Sequence, residues 1–163
     1  MLNAPYYVDK GTQNVYSGEI HADVTIEAGV TMIFNTSTGL VVGNGTNGSL
    51  KAIGTQAKPI IFKGANPGNG SWVGLSFNTA SVNNGLEYCT VDGGGASNPP
   101  YNDASEKGNI VLGSWYSATA NLFLRNSTLK NSGCWGIFID SNTSLNLGTG
   151  VTYQNNTCGN KNK

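Results

Sequence analysis

From Val24 onward the chain is a succession of short apolar strings separated by glycine, asparagine, serine and threonine. The strings begin with Val24-Thr-Ile26, Thr31-Met-Ile-Phe34, Leu40-Val-Val42, Leu50-Lys-Ala-Ile53, Ile60-Ile-Phe62 and Trp72-Val-Gly-Leu-Ser-Phe77. They continue with Leu86-Glu-Tyr-Cys-Thr-Val91, Asn109-Ile-Val-Leu112, Leu122-Phe-Leu124, Ile137-Phe-Ile139, Leu145-Asn-Leu147 and Val151-Thr-Tyr153. Their brevity and their β-branched and aromatic residues predict strands. No window keeps apolar residues at i, i+3, i+4 and i+7 over three turns, so no helix is expected beyond a terminal cap.

Strands of three to six residues are stable when each stacks on a similar strand one coil away. A parallel β-helix coil holds three of them in roughly 20–25 residues. The spacing fits: Ile26 and Leu50 lie about one coil apart, as do the strings around Thr128 and Thr152. The longer gap between Thr90 and Thr128 is accounted for by an inserted loop, Ala96–Lys107. An antiparallel sandwich or jelly roll also uses short strands, but repeats at hairpin rather than coil length. The expected fold is therefore all-β, a single-stranded right-handed parallel β-helix of about six coils. Its single domain divides into an N-terminal cap over 1–23, coils over 24–153 with the loop 96–107 inserted, and a C-terminal end over 154–163. Alternate residues such as Leu122 and Leu124, or Ile137 and Ile139, are expected to point inward. Asn131 and Asn155 occupy matching points of successive coils and are expected to form a buried amide ladder.

Composition narrows the class. The chain has 163 residues, 23 of them glycine with asparagine about as frequent, and only 11% are charged. No apolar run approaches the ~20 residues of a membrane-spanning helix, and no basic amphipathic stretch is present. Nine basic residues balance nine acidic ones, and Arg125 is the lone arginine. Nucleic acid is thus not an expected partner, nor is membrane insertion. The N-terminal Met1-Leu-Asn-Ala-Pro-Tyr-Tyr7 lacks the pattern of a signal peptide, which leaves a trimmed secreted chain and a cytoplasmic product both open.

The segment Ser49-Leu-Lys-Ala-Ile-Gly-Thr-Gln-Ala-Lys-Pro-Ile-Ile-Phe62, then Gly70-Ser-Trp-Val-Gly-Leu-Ser-Phe77 and Gly85-Leu-Glu-Tyr-Cys-Thr-Val91, resembles the right-handed parallel β-helix modules of bacterial secreted and surface proteins. Leu122-Phe-Leu-Arg-Asn-Ser-Thr-Leu-Lys-Asn-Ser-Gly133 and Val151-Thr-Tyr-Gln-Asn-Asn156 resemble the same coils. The likeness runs from about Glu19 to Asn160 and places the chain beside pectate-lyase-like solenoids. It implies an extracellular or cell-surface setting and a polysaccharide or surface protein as partner. It brings no active-site motif with it.

Chemistry is sparse. A polysaccharide lyase of this architecture needs clustered carboxylates around Ca²⁺ and a base; a glycosidase needs two or three close carboxylates. The acids here are Asp9, Glu19, Asp23, Glu27, Glu87, Asp92, Asp103, Glu106 and Asp140, with no adjacent pair and no Asp-x-Asp. Asp92, flanking a strand with Glu87, and Asp103 and Glu106 on the inserted loop form the best acidic candidate, and Ca²⁺ is the one cofactor they would suit. Solvated, separate surface acids are the competing reading. His21 is the single histidine, without a second His or Cys at zinc spacing and without a nucleophile elbow around any serine. Cys134 and Cys158 lie about one coil apart, within disulfide reach if their strands stack; otherwise they and Cys89 are thiols.

Trp72, Trp115, Tyr116, Trp135 and Tyr101 have flat faces suited to sugar rings, or else to packing. Thr25, Thr31 and Thr36 fall on different strings, so no Thr-x-Thr rank for binding ice forms. Insertions in solenoids tend to line the binding face, which makes Trp115, Tyr116, Tyr101, Asp92, Asp103 and Glu106 the candidate ligand-binding residues. The expected function is a non-catalytic module that binds glycan or protein, or serves a structural or adhesive role. The alternative is a lyase or hydrolase of a polyuronate-type substrate.

Overall fold

A computed structural model of the protein describes residues 6–8, 12–15, 18–43, 48–100, 102–113, 119–140 and 143–163, with the backbone alone up to residue 18. In chain order the strands are β1 (Tyr6–Val8), β2 (Thr12–Val15), β3 (Gly18–Ile20), β4 (Asp23–Ile26), β5 (Thr31–Phe34), β6 (Gly39–Val42), β7 (Ser49–Ile53), β8 (Ile60–Gly64) and β9 (Gly74–Phe77). There follow β10 (Gly85–Glu87), β11 (Cys89–Asp92), β12 (Gly108–Leu112), β13 (Asn121–Arg125), β14 (Thr128–Lys130), β15 (Trp135–Ile139), β16 (Ser144–Leu147), β17 (Thr152–Gln154) and β18 (Gly159–Lys161). The described residues contain no helix.

Each strand pairs with the strand three places on, always in parallel, giving three six-stranded sheets. Sheet B runs β1-β4-β7-β10-β13-β16, sheet C β2-β5-β8-β11-β14-β17 and sheet A β3-β6-β9-β12-β15-β18. The chain thus visits the three sheets in turn, an arrangement consistent with a parallel β-helix solenoid. An all-parallel topology has no hairpins, so the antiparallel sandwich does not apply.

Register is set by the strings' period of two. In sheet A, Leu40, Leu75, Ile110 and Ile137 align as one inward column and Val42, Phe77, Leu112 and Ile139 as the next. Sheet B contributes Ala52, Leu86 and Leu124, and sheet C Met32, Phe62, Val91 and Leu129. These residues fill a single core, with Ile139 packed against it half-buried. Ile26 and Leu50 lie on stacked strands about one coil apart, as expected, with Leu50 opposite Val24 and Ile26 opposite Ala52. Thr128 and Thr152 do align, their hydroxyls 2.9 Å apart. The ladders also extend past the expected coil limits. The segment 1–23, expected as a cap, carries β1–β3 paired with β4–β6, and β18 lies beyond residue 153.

The corners are tight. Tyr88, Asn126 and Gly150 stack at the turn from sheet B to sheet C, and all three take a left-handed backbone (φ 49°, 48° and 75°). At the turn from sheet C to sheet A, Gly93, Asn131 and Asn155 do the same (φ 80°, 54° and 51°). Asparagine and glycine tolerate this region, whereas Tyr88 occupies it at a cost. The amide ladder expected to be buried lies on the outside of this second corner instead. Asn155 donates to Asn131 Oδ1 at 3.4 Å in an exposed setting, and Asn131 donates to Asp92 Oδ1 at 2.8 Å. A left-handed corner turns its side chain away from the core.

The last coil is the least covered, with Leu147 39% exposed and strands β16–β18 paired on one side only. Two devices hold it. Cys134 and Cys158, 24 residues apart, are joined by a disulfide with Cα atoms 4.5 Å apart. Asn162 presents its amide to β15, accepting from Ile139 N (2.7 Å) and donating to Ile139 O (3.0 Å) as a further strand would. A cross-link closing a loop of this length stabilises by about 3 kcal/mol in the chain-entropy account. Cys158→Ser is expected to lower the unfolding free energy by about that amount, measured by denaturant titration, with hydrogen-exchange protection lost first in β16–β18.

Candidate functional site

The inserted loop is fastened by its own sequence. In Asn102-Asp-Ala-Ser-Glu106, the Glu106 carboxylate reaches back three residues to accept from Asp103 N at 2.9 Å, while Glu106 N donates to Asp103 O at 2.9 Å. The first bond is the glutamate half of a capping box, and the second is the backbone bond of a tight turn, with no helix following. The same carboxylate oxygen accepts from Asn102 Nδ2 at 2.8 Å, and that amide also donates to Gly113 O just past β12. Asn102 and Glu106 are accordingly buried, and Asp103 points to solvent.

The loop lies on the outer face of sheet A. Val41, Ser76 and Val111 alternate with the inward columns and so face outward, yet all three are buried while Val41 and Val111 stand outside the core cluster. Pro99 and Pro100 border one small groove together with Val41, Val73, Ser37 and Glu19, which puts the loop's prolines over β6 and β9.

The candidate acids have different settings. Asp92 sits at the outer corner, paired with Lys130 (3.3 Å) and held by Asn131. Glu106 is consumed by the loop's own turn. Glu87 is in an ion pair with Arg125 at 2.8 Å, with the Asn126 amide 3.4 Å away. The hydrogen bond from Arg125 holds the Glu87 carboxyl below the usual carboxylate range, against the opposing effect of its burial. Among the described residues no group of three or more His, Cys, Asp or Glu is placed to hold a metal ion. His21 meets Glu19 at 3.0 Å.

Of the candidate aromatics, Tyr101, Trp115 and Tyr116 lie outside the described residues. Trp72 is wholly interior, stacked on Phe34 with ring centroids 4.1 Å apart and donating from Nε1 to Asp92 O at 2.7 Å. Such a stack contributes about 0.5–1.5 kcal/mol beyond its buried area. The ring of half-buried Trp135 lies over the backbone of Gly159, where an added Cβ would come within 3.0 Å of it. Cys89 is a buried thiol pushed up to about 12 by its desolvation, with Sγ against Ala52 O and Glu87 O, and is unreactive there.

Residues absent from the sequence-based list stand on the outer face of sheet B. Phe123 is half-buried there with the Arg125 guanidinium 5.0 Å from its ring centre, and Gly85 lies beside it on β10. The alternation in Leu122-Phe-Leu-Arg125 was the signal, since inward Leu122 and Leu124 force Phe123 and Arg125 outward.

No protein family, curated protein or solved structure matches the chain. None of the described residues forms a helix long and apolar enough to cross a membrane.

Two outcomes are expected. Asn102→Ala removes one donor from Glu106 and one from Gly113 O, so cleavage within 96–107 in limited proteolysis should quicken while the strands keep their exchange protection, at a cost of about 1–2 kcal/mol. For the Glu87–Arg125 pair, the folded carboxyl titrates below the unfolded value of about 4.3. Its stabilisation is therefore full above that pH and lost as pH falls through the folded value. Arg125→Met should be less stable than wild type at neutral pH, and the gap should close on acidification; an unfolding free-energy difference that stays constant down to about pH 2 would refute this.

Proposed function

We propose that this chain is a right-handed parallel β-helix module of about six coils, of the kind seen in bacterial secreted and surface proteins, and that it binds glycan rather than cleaving it. Right-handed crossovers are the near-universal way of joining parallel strands of one sheet. The observation that carries the binding reading is the loop 96–107, the largest departure from the repeat, locked by Asn102 and Glu106 onto the outside of sheet A. A loop anchored so firmly makes a preformed edge for a ligand and spares the ordering cost on binding. Against catalysis speaks the employment of the acids: Asp92 serves Lys130 and Asn131, Glu87 serves Arg125, and Glu106 serves its own turn. General acid–base work needs carboxyls that converge on one reacting bond. The disulfide fits an oxidising, extracellular compartment.

The test pairs a glycan-array screen with an assay for unsaturated product on polygalacturonate and alginate. Binding without turnover is the expected result. Turnover that falls in Asp92→Ala would establish the lyase reading in its place.

A further inference from the structure

The last coil is built differently from those beneath it. No described residue after Ile137 is buried: Ile139, Leu145, Val151 and Tyr153 are half-buried, and Leu147 is exposed. On β18 the coil sets Lys161 beside Ile137, so that inward column ends in a charged side chain. The coil beneath, by contrast, holds Leu122, Leu124, Leu129 and Ile137 at 2% exposure or less.

Burial of apolar surface is what offsets the entropy of ordering a chain. Strands β16–β18 have little of it. One of their remaining ties is a ladder paired on one side. Another is a set of side-chain hydrogen bonds at exposed or partly exposed positions, where water competes. Asn69 Nδ2 donates to Asn155 O at 2.9 Å in this way, and Thr157 Oγ1 to Ser132 O at 3.0 Å. The third tie is the Cys134–Cys158 bridge, between β17 and β18, and it is the one that a change of redox conditions removes. Its two ends differ in access: Cys134 is 7% exposed, whereas Cys158 is open to solvent.

We propose that this bridge is a redox latch: a dithiol reductant opens it, and β16–β18 then leave the stack while β4–β12 stay folded. The latch goes beyond the glycan-binding reading and does not depend on it. One thiolate of the reductant attacks Cys158 Sγ, the sulfur it can reach, and forms a mixed disulfide there. Cys134 is expelled as a thiolate and takes up a proton. The second thiol of the reductant, deprotonated, attacks its partner sulfur in the mixed disulfide, closes to the reductant's own disulfide and releases Cys158, which is protonated in turn. Two electrons and two protons have passed from the dithiol to the bridge. Cys89 takes no part, because it is a free thiol already and buried. With the latch open, the stack ends at the unpaired edge of β13–β15, over Leu122, Leu124, Leu129 and Ile137; with it closed, that edge is covered.

The test is peptide-level hydrogen exchange on the full chain, oxidised and after treatment with dithiothreitol, with Cys158→Ser alongside. Reduction is expected to speed exchange in β16–β18 at least tenfold, to leave β4–β12 within twofold, and to be reversed by reoxidation. Cys158→Ser should show the open pattern without reductant and no response to it. Exchange that quickens equally along the whole chain would overturn a local latch and make the bridge a global staple. A last coil as protected when reduced as when oxidised would overturn the latch itself. The order of attack is read separately, by brief exposure to glutathione, acid quench and peptide mapping. A glutathione adduct on Cys158 is expected, and one on Cys134 would overturn the assignment of the attacked sulfur.

Discussion

The parallel backbone ladder is the constraint on which everything else here depends. A strand of three residues, such as β10 or β14, has too few hydrogen bonds to persist alone. It persists because a neighbour above and one below each fix it, and because its inward side chain meets an equivalent in both. The ladder in turn demands that successive coils place matching backbone at matching points. That is why the left-handed corner at Tyr88 recurs at Asn126 and Gly150, and the one at Gly93 at Asn131 and Asn155. Satisfying the backbone in this way leaves the ladder independent of the outward side chains, which are free to vary from coil to coil.

Much of the fold could be read in the chain, because periods of two within strings and of one coil between strings leave few alternatives. Leu122 and Leu124, or Ile137, are inward because the string alternates. What the sequence could not convey was register to the residue. Ile26 and Leu50 are separated by a coil's length, yet Ile26 aligns with Ala52, since corner lengths and not string lengths set the offset. The same ignorance put Asn131 and Asn155 in the interior, when a left-handed corner turns them out. The ends were misjudged too: a polar string like Thr12-Gln-Asn-Val15 alternates weakly, and only its pairing with β5 makes it a strand.

The candidate site was legible in location more than in composition. The inserted loop stood out because it breaks the period, and the sequence of its turn, Asp103 to Glu106, encodes the closure that seats it. The acids were read as a group because they are near one another in sequence. In space, Asp103 faces solvent and Glu87, Asp92 and Glu106 are each drawn to a different partner; Lys130 and Arg125 belong to the next coil, 38 residues away in both cases. Phe123 and Gly85 escaped notice for a related reason. Their adjacency exists only across strands, and a glycine between two apolar residues reads as a weak strand position until the side chains flanking it are placed.

The Cys134–Cys158 bridge has a mechanical meaning. In this stack the inter-strand hydrogen bonds lie along the axis, so tension on the C-terminal end loads them a few at a time and the chain should yield as a zipper does, coil by coil. The bridge ties the outermost coil to the one beneath it at a point midway round the turn. Force applied at Lys163 can therefore peel only the few residues after Cys158 before it meets a covalent bond. From there the load passes through Cys134 into β15, whose other neighbour, β12, lies deeper in the stack. A module built this way resists pulling at its weakest end without needing a thicker core.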